Sequence, residues 1–159
     1  MRILFLLTLT LISCSLSAQK EGDTVLKRCP VYITDTSGYN NYFLEFQPAT
    51  IHVDKAKGDL SIVVEQRDQL FSLFFGKKHL ENQTYKIKSS AKKNNEVAAK
   101  YSFRVGAQVS YVTVTSGTVE TKFDKETNLW NIKVDGILSN MVGRGISYFK
   151  VKADFYIRD

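Results

Sequence analysis

Short runs in which apolar and polar residues alternate dominate the chain from residue 20 onward. The clearest is the last, where Phe149, Val151, Ala153, Phe155 and Ile157 alternate with polar or tyrosine side chains. A period of two is typical of a strand that buries one face and exposes the other, as in an antiparallel sheet. The end of the chain therefore predicts a half-buried strand.

About nine such runs follow one another at spacings of roughly 8 to 14 residues, which is typical of a β-sandwich or small barrel. Tyr42–Phe46 predicts a strand that ends before Pro48, and Val109–Thr115 predicts one that ends at Ser116. Gln69–Phe75 is apolar on both faces, which predicts a central or doubly covered strand. The nearest candidate for helix is Asn95–Lys100, enough for one turn. Without crossover helices a parallel α/β fold is excluded.

Residues 1–18 have the order of a bacterial-type export signal: Arg2, an apolar run over Ile3–Ile12, and then small residues. The apolar run is about half the length that a membrane-spanning helix needs. Cleavage after Ser17 or Ala18 would leave an N-terminus near Gln19, with residues 19–159 as one all-β domain. We therefore expect the protein to be exported, to the periplasm or out of the cell.

A second interpretation of the same segment is open. Leu11-Ile12-Ser13-Cys14 resembles the lipobox of bacterial lipoproteins, which would make Cys14 the site of lipid attachment and the protein an outer-membrane lipoprotein. More than one acyl chain gives durable attachment to a membrane. Under either interpretation Cys29 is the remaining thiol. Its place before Pro30 and an apolar strand favours a small buried hydrophobe over a reactive or intermolecular thiol.

The C-terminal part of the chain resembles a known group of proteins. Its order is Tyr111 to Asp124 with an internal Ser-Gly-Thr, then Asn128 to Gly136, then a glycine-containing hairpin and a final alternating strand. This order resembles that of small exported or lipid-anchored β-domains of unknown function from Bacteroidota. The resemblance covers about 50 residues, and its motifs belong to turns and strands. It implies a fold and a habitat, and it implies no mechanism.

Charge and exposed aromatic residues indicate a surface for a partner. The formal net charge is +6, and lysines concentrate between Lys77 and Lys100. The predicted partner-binding residues are Lys86, Lys88, Lys92, Lys93, Tyr39 and Tyr42. Lysines can attract a polyanion, and tyrosines beside asparagines suit a sugar or a protein. A solvated loop and strand edge explains the same lysines. Nucleic acid is not an expected partner, because an exported protein is separated from the nucleic acids of the cell and the sequence has no nucleic-acid-binding motif.

Motifs for catalysis, cofactors and metals are missing from the sequence. His52 has Asp54 two residues away on one strand face, which is at most a pair of ligands, whereas a zinc site needs three or four. His79 follows two lysines, a poor setting for a cation. The serines beside Gly38 and Gly117 are not in a nucleophile elbow, and no phosphate-binding glycine loop occurs. We expect no enzyme, no cofactor and no metal.

Three functions are consistent with these features. The first is a non-enzymatic domain that binds a protein, polysaccharide or other partner at the bacterial cell envelope. The alternative is a small β-barrel that carries a lipid or another apolar ligand, which the apolar strand Gln69–Phe75 and the ten phenylalanines suggest. A further alternative is a periplasmic immunity or inhibitor protein. In all three, the protein contacts the membrane only if Cys14 is acylated.

Overall fold

One sheet of ten strands forms the whole described structure. The structure, a computed structural model, describes residues 23–35, 42–43, 46–142 and 145–159. The strands are β1 (Thr24–Leu26), β2 (Val31–Asp35), β3 (Ala49–Ala56), β4 (Asp59–Gln66), β5 (Gln69–Phe75), β6 (Gln83–Lys88), β7 (Glu96–Val105), β8 (Gln108–Asp124), β9 (Leu129–Val142) and β10 (Gly145–Ile157). The sheet curls into a half-barrel, so the predicted all-β fold is confirmed.

The order of strands in the sheet is β1-β3-β4-β5-β7-β6-β8-β9-β10-β2. The two edge strands, β1 and β2, are consecutive in the chain and are joined by residues 27–30. Pairing is antiparallel except between β6 and β7, where Lys86–Lys88 lie parallel to Glu96–Ala98. β6 occupies the space between β7 and β8 at one end of these strands, whereas at the other end β7 and β8 pair directly as a hairpin.

The core lies on the inner side of the curled sheet. Alternate residues of each strand point into it; on β10 these are Val151, Ala153, Phe155 and Ile157, all at most 5% exposed. The side chains without exposed surface include Phe43, Phe71 and Tyr85 from three other parts of the chain. The predicted faces of β10 are therefore correct. One continuous apolar cluster holds the sheet in its curled form.

Three local predictions were wrong. Tyr42 and Phe43 lie outside any strand, although Phe43 is fully buried. The stretch that indicated a helical turn enters strand β7 at Glu96. β8 does not end at Ser116; it continues to Asp124 through an irregularity in register between Val114 and Ser116.

The pair of glycines in the middle of β8 and β9 explains that continuity. Gly117 lies opposite Gly136, with a φ of +130°. A Cβ on Gly117 would collide with the backbone oxygen of Asp135, and one on Gly136 would lie 2.9 Å from the Val114 side chain. The backbones of β8 and β9 therefore approach each other closely at the two glycines. This close approach lets the two longest strands stay paired past the irregularity.

Candidate functional site

Two hairpins diverge at one end of the sheet. The pairing of β8 with β9 runs from Asp124 and Leu129 as far as Val114 and Leu138. Beyond that point the first part of β8 pairs with β7, and the last part of β9 pairs with β10. The two hairpins are therefore not paired with each other at this end, and their inner side chains face each other across a space.

This space is an apolar cavity of about 230 Å³. Its lining residues come from five strands and from the segment after β2; they are Ile33, Tyr42, Tyr101, Phe103, Val112, Leu138, Asn140 and Phe149. None of these described lining residues is charged. We call this space the hairpin cavity.

Contacts between aromatic rings position its walls. The ring of Tyr42 meets that of Phe149 edge-on, with centroids 5.2 Å apart. The backbone N–H of Tyr42 donates to the carbonyl oxygen of Ile33 at 2.8 Å, which ties this wall to β2. On the opposite side Tyr101 lies 5.5 Å from Phe103 and 5.6 Å from the buried Phe43, measured between ring centroids. Such pairs hold rings in fixed orientations and so keep a cavity open.

Three lining residues, Tyr42, Tyr101 and Asn140, add polar atoms to the apolar walls. The hydroxyl of Tyr101 donates to Oε1 of Gln69 at 3.0 Å, and burial raises the pKa of this tyrosine above its ordinary value. Tyr101 is therefore neutral at any physiological pH. Asn140 provides an amide that can both donate and accept a hydrogen bond. The arrangement suits an apolar group with one neutral polar atom, and it offers no nucleophile or general base.

The predicted partner-binding residues do not form one surface with this cavity. Lys86 and Lys88 project outward from β6, and Lys92 and Lys93 lie exposed in the loop that follows. Tyr42 instead lies against Phe149 at the cavity. Tyr39 and Cys14 lie outside the described residues.

Glu96 counters part of the lysine charge. Its carboxylate accepts hydrogen bonds from the backbone N–H groups of Lys92 and Lys93, at 3.0 and 3.2 Å. These bonds and the nearby charges of Lys93 and Lys88 outweigh the opposing effect of desolvation and lower the pKa of Glu96. The lysine-rich loop is thus held in place by an acid of its own, which fits the interpretation as a solvated loop.

Several hollows among the described residues are larger than the hairpin cavity. One of about 430 Å³ lies beside β5 and has Asp59 and Lys100 in its lining. Two more lie on the outside of the sheet. One, about 630 Å³, crosses the outer faces of β8, β9, β10 and β2, where Lys133, Lys150 and Lys152 alternate with Glu120, Asp135 and Asp154. The other, about 820 Å³, lies between β1 and the end of β10. The charged side chains of the first cancel one another, and neither hollow has the uncharged, aromatic lining of the hairpin cavity.

His52 is a bridge between carboxylates. Its Nδ1 lies 3.0 Å from Oδ1 of Asp23 and its Nε2 lies 2.9 Å from Oε2 of Glu65, so Asp54 is not the partner that the sequence suggested. The two ring nitrogens point to different acids and do not converge on a point where a cation could lie. Across residues 23–35, 42–43, 46–142 and 145–159, no three histidine, cysteine or acidic side chains form a metal-binding group.

Cys29 is buried, as its sequence context indicates. It is 1% exposed, and desolvation raises the pKa of its thiol more than the backbone hydrogen bond at Val31 lowers it. A thiol that is both buried and protonated is a poor nucleophile.

Comparisons with known proteins add no relative. No family model matches the chain, no curated protein matches it, and no solved structure matches it. The resemblance to exported β-domains therefore stays a prediction. Within the part of the chain that the structure describes, no helix is long and apolar enough to cross a membrane.

Proposed function

We propose that this domain is a non-enzymatic binding protein that holds a small apolar group in the hairpin cavity. Of the functions that the sequence suggests, this is the apolar-ligand carrier. The observation that carries the proposal is the cavity itself: about 230 Å³, on the inner side of the sheet, with eight uncharged lining residues. Ligand sites in proteins are mostly apolar with a few placed polar groups, and Tyr101 and Asn140 match that description.

The volume limits the ligand. An apolar cavity of about 150 Å³ is enough for one benzene ring. The hairpin cavity is larger than that and smaller than the usual range for drug-sized ligands, which begins near 300 Å³. It therefore suits one aromatic ring with a short substituent, or a short acyl chain whose polar end reaches Asn140 or the mouth.

The expected affinity is modest. Burial contributes about 0.8 kcal/mol per methylene, so a chain of about eight carbons gains about 6 kcal/mol before the cost of association. A free energy of about −6 kcal/mol corresponds to a Kd of about 40 µM, so with the cost of association included we expect a Kd weaker than about 40 µM. The neutral lining adds no ion pair, so this affinity should depend little on salt.

Isothermal titration calorimetry with octanoate, an acyl chain of the size that the volume allows, tests the proposal. Val112 lines the cavity, so Val112→Phe fills it. Val109 is on the same strand but 60% exposed, so Val109→Phe is the matched control. We expect saturable binding of octanoate to one site, a loss of at least about tenfold in affinity for Val112→Phe and an unchanged affinity for the control.

A second variant covers the case in which Val112→Phe fails to fold. Phe103→Ala enlarges the cavity, so it should shift the preference from octanoate to a longer acyl chain. Absence of saturable binding, or equal binding by the two valine variants, would contradict the proposal.

The place of action is proposed from the N-terminal segment alone. We propose that the protein works outside the cytoplasm, because its first 18 residues have the order of an export signal. Intact-mass measurement of the protein recovered from cells tests this and separates two forms. A start near Gln19 means ordinary cleavage, an acylated Cys14 means a lipoprotein, and an unprocessed chain contradicts export.

A further inference from the structure

A seam separates the first strand of the sheet from the end of β10. β1 and the stretch Asp154–Arg158 line one hollow of about 820 Å³, yet the two strands do not pair with each other. On the side of β10 away from β9 the described partner strand is β2, and its pairing ends where Val31 meets Ala153. β10 itself continues beyond that point to Ile157. We call the hollow between β1 and the end of β10 the seam.

Pro30 ends the pairing of β2 with β10. The N–H of Asp154 donates to the carbonyl oxygen of Pro30 at 3.4 Å, and proline has no N–H with which to return the bond. In an antiparallel pair, residues that exchange hydrogen bonds alternate with residues that do not. Ile33 agrees with this alternation, because its carbonyl oxygen accepts from the N–H of Tyr42 and so points away from β10. Asp154 therefore belongs to the residues of β10 whose backbone groups face β2.

The end of β10 directs backbone hydrogen-bonding groups into the seam. Since the alternation has a period of two, the N–H and C=O groups of Tyr156 and Arg158 face the same side as those of Asp154, beyond the end of β2. The groups of Phe155 and Ile157 face the other side, where β9 pairs with them. Among the described strands, none pairs with Tyr156 or Arg158 on the seam side. A strand edge of this kind is a template for pairing with another chain.

The size and the lining of the seam fit one extended segment. An extended residue occupies about 160 Å³, because it advances about 3.3 Å, neighbouring strands lie about 4.8 Å apart and packed layers about 10 Å apart. A hollow of about 820 Å³ therefore has the volume of about five such residues. This number matches the stretch Asp154–Arg158. Apolar lining comes from Leu26, Cys29, Phe155 and Ile157.

We propose that the seam binds an extended peptide segment of another protein, which adds a strand antiparallel to the end of β10. The seam shares no lining residue with the hairpin cavity, so this inference goes beyond the proposed function. Main-chain hydrogen bonds give such binding its affinity, and alternate side chains give it specificity. Side chains of the segment beside Phe155 and Ile157 face the core and should be apolar, whereas the one opposite Tyr156 faces solvent.

The position of β1 argues against a second copy of the folded chain as the occupant. β1 lies on the far side of the seam, and Asp23 at its start is fixed to His52 by a contact of 3.0 Å. A second copy would bring β9 and the rest of its sheet together with the edge of its own β10. A hollow that holds about five extended residues has no room for that. A tail or loop without paired neighbours can enter it.

Amide hydrogen exchange with a short peptide tests the proposal. Isotope-labelled protein is produced from the full-length chain with Cys14→Ser, so that acylation cannot contribute. The probe is the end-blocked peptide Lys-Val-Thr-Val-Thr-Val-Lys, whose valines would face the core and whose threonine N–H groups would face β10. The matched control is the same peptide with both threonine nitrogens methylated, which removes these donors and keeps every side chain.

We expect the amides of Tyr156 and Arg158 to exchange rapidly in the protein alone, and at least about tenfold more slowly at peptide concentrations of up to about 5 mM. The amides of Phe155 and Ile157 should change by less than about twofold, because β9 pairs with them in both states. The methylated peptide should bind at least about tenfold more weakly. Octanoate should leave all four amides unchanged, so the two sites fail separately.

Two variants repeat the comparison from the side of the protein. Tyr156→Pro removes the N–H that faces the seam, at a position where the pairing with β9 does not use it, and should abolish the slowing at Arg158. Tyr156→Ser removes the same ring but keeps the N–H, and should bind the peptide within about threefold of the parent. If Tyr156→Pro does not fold, the two peptides still make the comparison.

Unchanged exchange at about 5 mM peptide, or equal slowing by the two peptides, would overturn the proposal. Slow exchange of the Tyr156 amide in the protein alone would also overturn it. Exchange that becomes fast on dilution would then show that a second copy occupies the seam, and exchange that stays slow would show that the chain fills the seam itself.

Discussion

The bridge at His52 predicts a specific dependence of stability on pH. Asp23 directly precedes the edge strand β1, while His52 and Glu65 are on β3 and β4. Partial burial lowers the pKa of His52, but the hydrogen bonds to the two carboxylates and their charges outweigh it, and the pKa is raised above the ordinary value of 6.5. The protonated ring donates from both nitrogens and ties the edge strand to the sheet.

The sign of the effect follows from the direction of the shift. A group whose pKa is higher in the folded state than in the unfolded chain stabilises the fold fully below the unfolded pKa. That contribution is lost as the pH rises through the folded pKa, which lies above 6.5. The bridge therefore stabilises the protein in mild acid and stops doing so in the alkaline range.

The solvent exposure of the three side chains limits how much the bridge contributes to the free energy of unfolding. The His52 side chain is 34% exposed, and those of its partners are 12% and 47% exposed. Ion pairs at exposed sites contribute about 0.2–1 kcal/mol each because water screens them. Two such pairs, one with the mostly buried Asp23, give about 1 kcal/mol for the protonated bridge.

Urea unfolding of the parent and of His52→Gln measures this contribution. At about pH 5.5, where carboxylic acids are as a rule ionised, we expect the variant to be less stable by about 1 kcal/mol. At about pH 9 the difference should fall to a few tenths of a kcal/mol. His79→Gln is the matched control: its ring is 72% exposed and lies 3.8 Å from Asp159, so its effect should be small at both pH values. A difference for His52→Gln that is equal at both pH values, or larger at high pH, would refute the reasoning.

Three further predictions concern the fold. Gly117→Ala should lower the free energy of unfolding in urea by at least about 2 kcal/mol, because the positive φ of Gly117 and its contact with the Asp135 backbone both resist a Cβ. The control Gly58→Ala, also at positive φ but in open space, should cost about 1 kcal/mol, and equal losses would contradict the steric argument. Thr121→Val should cost about 1–2 kcal/mol, because its buried hydroxyl donates to the Glu81 carbonyl oxygen at 2.5 Å, while the exposed Thr118→Val should change stability by less than about 0.5 kcal/mol. Cys29 should react with a thiol reagent at least about 100-fold more slowly in the folded protein than in denaturant, and fast labelling without denaturant would show that the thiol is not buried.

Local alternation was a sound guide to the strands and their faces. On β6, Tyr85 and Ile87 are buried while Lys86 and Lys88 are exposed, as the period of two predicts. The same rule gives both faces of β10. These predictions succeed because successive residues of a strand point to opposite faces, so a short stretch of sequence shows which face is buried.

Residue type gave the wrong local structure at positions where the same residue is common in two kinds of structure. Gly117 follows a serine, a pair common in turns, yet it lies in the middle of β8 because its backbone must approach Gly136. The aromatic residues near Tyr42 indicate a strand, but Tyr42 and Phe43 fill the cavity wall and the core from outside the sheet. β-propensity cannot separate these cases, since it mainly measures how well a side chain packs in its surroundings.

The hairpin cavity could not be predicted from the sequence. Tyr101 and Phe103 alternate with Ser102 and Arg104, a pattern that predicts a strand and nothing more. The space beside them exists because β8 and β9 separate beyond Val114 and Leu138. At the opposite end of β8, where it still pairs with β9, β6 lies between β7 and β8. The cavity results from the pairing of strands that are far apart in the chain, and this pairing cannot be read from the local sequence pattern.

Nuclear Overhauser contacts between octanoate and the protein test the central claim most directly. If an apolar group occupies the hairpin cavity, the octanoate chain should show contacts to the methyl groups of Val112 and Leu138 and to the ring of Phe149, all of which line it. These contacts should vanish in Val112→Phe. Contacts confined to exposed residues such as Val25 and Tyr156, or no intermolecular contacts at saturating octanoate, would contradict the account.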